Sequence, residues 1–202
     1  DKAKVDFLIV YLKDPEAVVR LWALDKTYKW RLVAQLPEEL GPVLIGLISD
    51  NNGDVRLNTA ELLALMQRLN SVQPLLDQHQ VEPDDQVKTK LFVALGAACA
   101  SALTGPPAEI SVKIKKIRST TLNLAAEQYL FSANDEKARN AAEVIRKLLI
   151  RDGLNPGDVD KFLNLLSTRY QQEKDKPNGA LRGVLLNAMA SLCAPESTCK
   201  NK

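Results

Sequence analysis

Histidine is where most hydrolytic and metal chemistry begins, and this chain of 202 residues has a single one, His79. Lying between Gln78 and Gln80 and just ahead of Glu82-Pro83, it reads as a solvated residue at a helix end or in a loop. One imidazole cannot build the paired-histidine motifs that hold a metal on one helix face. The three cysteines, Cys99, Cys193 and Cys199, are scattered rather than clustered. Cys99 sits inside the apolar run from Leu91 and is expected to behave as a small buried hydrophobe. Cys193 and Cys199 are six positions apart, so a local disulfide is open to them in an oxidising compartment. Two free thiols are the expected state, which favours the cytoplasm. Gly105-Pro106-Pro107 is a chain breaker and not a phosphate cradle, because proline lacks the N–H groups such a cradle needs. The expectation is therefore no catalytic residue, no metal, no cofactor and no small-molecule substrate.

Charge is the remaining chemistry. A net charge of +2 conceals an uneven split: residues 1–112 hold 11 Lys and Arg against 15 Asp and Glu, and residues 113–202 hold 16 against 10. In the basic half Lys113, Lys115 and Lys116 cluster with Arg118. Further on, Arg139 and Arg146 lie one heptad apart, with Lys147 and Arg151 on an adjoining sector and Glu136 and Glu143 between them. Such a surface suits an acidic partner or a phosphate backbone, although mixed helix faces usually pair their own charges. Trp22 and Trp30 fall about 80° apart on a helical wheel and share their sector with Val19, Ala23 and Val33, the pattern of a core-facing stripe. Asp25 pairs more simply with Lys29 four residues on than with any ligand.

The elements that must position these residues are helices. Leu and Ala dominate, glycine is low at 9, and 46% of residues are apolar. Apolar residues recur at helical spacing, with turn residues every 15–20 positions. A short first helix stops at Asp14-Pro15, where Asp14 caps a second that runs to about Gln35. Leu36-Pro37-Glu38-Glu39 starts a third that carries Leu40 to Ile48, and the turn from Asp50 ends in Asp54 as the cap of a fourth. Val72 to Gln80, Asp85 to Leu103, Glu109 to Phe131, Asp135 to Arg151, Asn155 to Tyr170 and Ala180 to Leu192 follow. Ile110-Ser111-Val112-Lys113-Ile114 also alternates like a strand. The longest apolar stretch, Leu91 to Leu103, is 13 residues against the roughly 20 of a membrane span, so it predicts a buried helix and no membrane insertion. Asp1 is not an initiator residue, which makes the chain a processed form or an excised piece.

One short pattern ties these helices together. Asp14 precedes Arg20 by six residues, with Val19 before the arginine and Ala23 after it. Asp50, Val55, Arg56 and Ala60 repeat the arrangement, and Glu82/Lys88, Ala138-Arg139 and Leu181-Arg182 echo it. The basic residues are 36, 32, 51 and 43 positions apart, near the ~40–47-residue period of helix-pair repeats. This pattern resembles the HEAT-repeat family. The resemblance implies an all-α fold: a single domain over residues 1–202, coiled as a right-handed superhelix (α solenoid) of about five helix pairs, regular over 1–104 and more divergent over 105–202. Armadillo-type packing is the alternative for the second half. It implies further that the Asp and Arg form a ladder between adjacent repeats and that second helices line a concave face.

The function expected of such a chain is a protein-interaction scaffold with no catalysis. Its partner surface would lie at Lys113, Lys115, Lys116, Arg139, Arg146, Lys147 and Arg151. Nucleic-acid binding through the basic half ranks second. A helical-repeat enzyme, such as a DNA glycosylase stacking a base on Trp22 or Trp30, or a bilin lyase, ranks last.

Overall fold

The computed structural model describes residues 2–102, 112–151, 156–177 and 179–193, with the side chains of Val33, Leu69, Ala102 and Arg151 left aside. Among the described residues there is no strand. The helices are α1 (Lys2–Leu12), α2 (Ala17–Val33), α3 (Leu40–Leu47), α4 (Gly53–Met66), α5 (Val72–Val81), α6 (Asp85–Ala102), α7 (Val112–Leu124), α8 (Asp135–Arg151), α9 (Pro156–Glu173) and α10 (Ala180–Leu192). The strand-like alternation at residues 110–114 gives way to helix from Val112. Ile110 and Ser111 lie outside the described residues, as does the break at Thr104–Pro107.

Two compact units divide the chain, residues 1–102 and 103–202. In the first, α2, α4 and α6 pack in series, α1 packs on α2 and α3, and α5 packs on α6. The seam between α4 and α6 is the best filled. Helix α4 buries Val55, Ala60, Leu62 and Leu63, and in α6 Leu91, Phe92, Leu95, Ala98 and Cys99 are all sealed from solvent. Small residues at Ala94, Ala97, Ala98 and Ala100 let the neighbouring backbones approach, so Leu91 to Ala100 forms the buried helix that the apolar run predicted. Truncating one of these leucines to alanine would cost about 2–5 kcal/mol.

In the second unit, α10 packs on α8 and α9, and α7 continues into a π-helical turn, Ala125–Tyr129, that packs on α8. Its signature is the i+5 bond from Leu130 N–H to the Ala125 carbonyl at 2.8 Å. The helical segment therefore continues without a break from Val112 to Tyr129. Helix α8 buries Ala138, Ala141, Ala142, Val144, Ile145, Leu148 and Leu149, a clean apolar face opposite its charges.

Helix starts differ from expectation at three places: α3 begins at Leu40 and not within residues 36–39, and at the other two the donor geometry decides. Asn52, not Asp54, caps α4: its Oδ1 accepts the Val55 N–H at 3.1 Å, while Asp54 occupies the first turn, where a carboxylate still complements the helix dipole. Asp14 accepts the N–H of Glu16 at 2.8 Å and so orders the turn, while Glu16 is the residue at the α2 N-cap. Helix α4 ends on Gln67, whose φ of 52° is left-handed and without glycine's freedom. Below it Arg68 donates to the carbonyls of Leu36, Pro37 and Glu38 at 3.0 Å each, closing the α2–α3 turn. Its guanidinium lies so near Gly41 that an added Cβ would sit 2.8 Å from Nη1.

Candidate functional site

Arg20 and Arg56 do the same thing twice. The Nη1 of Arg20 donates to the carbonyls of Asp14 and Pro15 at 2.8 Å each, and its Nη2 reaches Asp50 of the next helix pair at 2.7 Å. Arg56 Nη1 donates to the carbonyls of Asp50 and Asn51 at 2.8 and 3.3 Å, while Nε and Nη2 fork onto Glu82 at 2.8 Å each. Each arginine thus holds its own preceding turn and the acid of the following pair. Glu82, a departure from Asp in the sequence pattern, fills the same place, and its side chain is fully buried.

Burial alone would raise the Glu82 carboxyl. Hydrogen bonds from Arg56, Gln78 and the Asp84 N–H outweigh it and hold the carboxyl below its ordinary value. The bond to Glu82 in turn raises Arg56 above the ordinary arginine range. These rungs brace helices. Beside the first lies a cleft of about 570 Å³ lined by Lys13, Asp14, Arg20, Pro42, Asp50 and others, in which Arg20 Nη2 is already paired with Asp50.

The basic residues of the second unit divide into three kinds. Lys113, Lys115 and Lys116 are exposed on α7 and enter no ion pair among the described residues. No acid lies on this helix, and Ser119, Thr120 and Asn123 extend the same outward sector. Arg118, clustered with the lysines in sequence, is instead buried, and both its terminal nitrogens lie 3.1 Å from Asp158 Oδ2 in the first turn of α9. On α8, Arg146 forks onto Glu143 at 3.0 and 2.6 Å, and Lys147 approaches the same carboxylate at 3.6 Å. The Arg146 bond leads in holding Glu143 below its ordinary pKa, and it raises Arg146 in return. Arg139 donates through Nε to the Asp135 carbonyl at 3.4 Å, and the Arg151 side chain lies outside the described residues. A buried pair that the sequence pattern missed is Arg169 with Glu173, 3.0 Å apart; Lys176 adds a second cation to Glu173 at 2.7 Å. Its signal was the i,i+4 spacing on α9.

Three chemical expectations are corrected. His79 is not solvated: it is 1% exposed, with its ring 6.4 Å from that of Phe92. Val72, Leu75, Leu76 and His79 follow i, i+3, i+4, i+7 and form the buried stripe of α5, a spacing legible in the sequence. Desolvation, with Lys88 adding repulsion, lowers its pKa to about 4, so the ring is neutral near pH 7. Trp22 is not in the core with Trp30: Trp30 is 8% exposed but Trp22 is 42% exposed, edge-on to Tyr11 and Phe7 at 5.6 and 6.1 Å. The wheel places it at the margin of the stripe, where α1 rather than the core supplies its neighbours. Cys193 is disulfide-bonded rather than a free thiol, while Cys99 is a buried thiol. Cys199 lies outside the described residues.

Among the described residues, no group of three or more His, Cys, Asp or Glu could hold a metal ion, and no helix is long and apolar enough to cross a membrane. No protein-family model matches this chain, and no curated protein matches it in sequence.

Proposed function

We propose that this chain is a protein-interaction scaffold, a right-handed superhelix of about five HEAT-like helix pairs that offers pre-ordered surfaces to protein partners. The observation that carries the reading is the repeated arginine rung, Arg20 to Asp50 and Arg56 to Glu82, which sets successive pairs in register. A surface braced in this way loses little conformational freedom on binding, so broad contact yields affinity without a chemical site. The partner face is α7 with its exposed Lys113, Lys115 and Lys116, and the partner presents acidic side chains. Arg139, Arg146, Lys147 and Arg151 contribute less, because Glu143 already neutralises the central two.

Reversing Lys113, Lys115 and Lys116 to Glu is expected to abolish binding to an acidic helical peptide, measured by fluorescence anisotropy, with helicity unchanged. Reversing Arg146 and Lys147 should weaken it far less. Equal losses from the two sets would refute the assignment to α7. The acid-free lysine helix also supports a second reading, phosphate-backbone binding, whose mark is a steep salt dependence.

A further inference from the structure

Asp14, Asp50 and Glu82 each precede a basic residue by six positions. Asp50 receives Arg20 and Glu82 receives Arg56. Asp14 holds the same place in the first helix pair and enters no ion pair among the described residues. The converse holds at Arg182. Its Nη1 grips the Lys176 carbonyl, six residues back, at 2.8 Å, as Arg20 and Arg56 grip theirs. The posture matches further out: an added Cβ three residues earlier would lie 3.8 Å from Nη2 of Arg56 and 3.3 Å from Nη2 of Arg182. Yet Arg182 meets no carboxylate among the described residues. The residue four positions beyond each rung arginine makes the same point. Leu24 and Ala60 are 2% and 0% exposed, whereas Leu186 is 48% exposed.

The first pair carries matching apolar surface. Helix α1 buries Val5, Leu8 and Leu12, but its opposite face bears Phe7 and Val10, and beside it α2 exposes Val18 and Trp22.

We propose that the outer face of the α1–α2 pair docks a second copy of this chain. The second copy's α10 brings Arg182 to Asp14 and lays Leu186 against Phe7 and Trp22, so that a rung of the Arg20–Asp50 type forms between molecules. The contact is heterologous, each copy having one acceptor and one donor end, so assembly does not stop at two. It rests on the stacked-pair reading of the fold and not on the α7 lysines.

Sedimentation velocity of the whole chain, at concentrations rising to about 1 mM, tests this. The average mass should climb with concentration. Trp22→Ser should weaken association by about tenfold or more, and Asp14→Arg should suppress it. Arg182→Asp should suppress it too, and the double variant Asp14→Arg/Arg182→Asp should restore it by exchanging the charges. Because Arg182 also holds turn carbonyls, thermal melts accompany its variants, while Trp22→Ser and Asp14→Arg leave that clamp intact. A chain that stays monomeric throughout overturns the proposal and leaves this face to a different partner, with the α7 reading untouched. Association indifferent to Trp22→Ser and Asp14→Arg overturns it equally.

Discussion

His79 is a buried base that folding keeps neutral, and that has a consequence for stability. Its pKa falls from 6.5 to about 4 because burial penalises the imidazolium and Lys88 repels it. The unfolded chain therefore takes up a proton at higher pH than the folded one, so this contribution is complete above pH ~6.5. It is lost progressively as pH falls from ~6.5 towards 4, by up to about 3 kcal/mol. Glu82 behaves as a depressed carboxyl: its contribution holds above the ordinary carboxylate range and goes only as pH falls through its lowered value. Loss of stability between pH 6.5 and 4.5 should therefore belong to His79. Urea melts of His79→Leu should be flat across that window where the parent declines. A parallel decline in both would show that the histidine is not the titrating group.

Between elements, the rungs carry the argument. Removing Arg56 leaves the fully buried Glu82 carboxylate without its fork, a loss of about 3–5 kcal/mol; Arg20→Ala should cost somewhat less, Asp50 being 8% exposed. Arg139→Ala and Lys147→Ala remove exposed or loosely held charges and should cost about 0–1 kcal/mol. Equal shifts in melting temperature across the four variants would contradict the bracing role. The rungs were legible because a guanidinium six residues after a turn acid has little choice but to fold back on that turn. Helix positions were legible for a related reason, since turn residues and 3.6-residue periodicity are local signals, and α8 and α10 fall where the pattern put them. What escaped was set by neighbours distant in sequence. Whether Trp22 faces core or solvent depends on where α1 lies, and whether Arg118 joins Lys113, Lys115 and Lys116 or turns inward depends on Asp158, 40 residues away.

For the whole molecule, the two proposed readings differ in the polyanion that the basic half would meet, an acidic protein surface or a phosphate backbone. Net charge is only +2, and the second unit spends Arg118, Arg146, Lys147 and Arg169 on its own carboxylates. Lys113, Lys115 and Lys116 are then the clustered cations without an ion pair among the described residues, a short run from which to release counterions of a duplex, whereas a protein surface asks for only a handful of well-placed lysines. The most direct measurement is a titration of the whole chain with duplex DNA over increasing salt. A scaffold of this kind should bind the duplex no tighter than about 10⁻⁶ M near physiological salt, with a shallow log–log slope. A sub-micromolar affinity there, with a steep slope, would make this a nucleic-acid-binding protein and contradict the scaffold account.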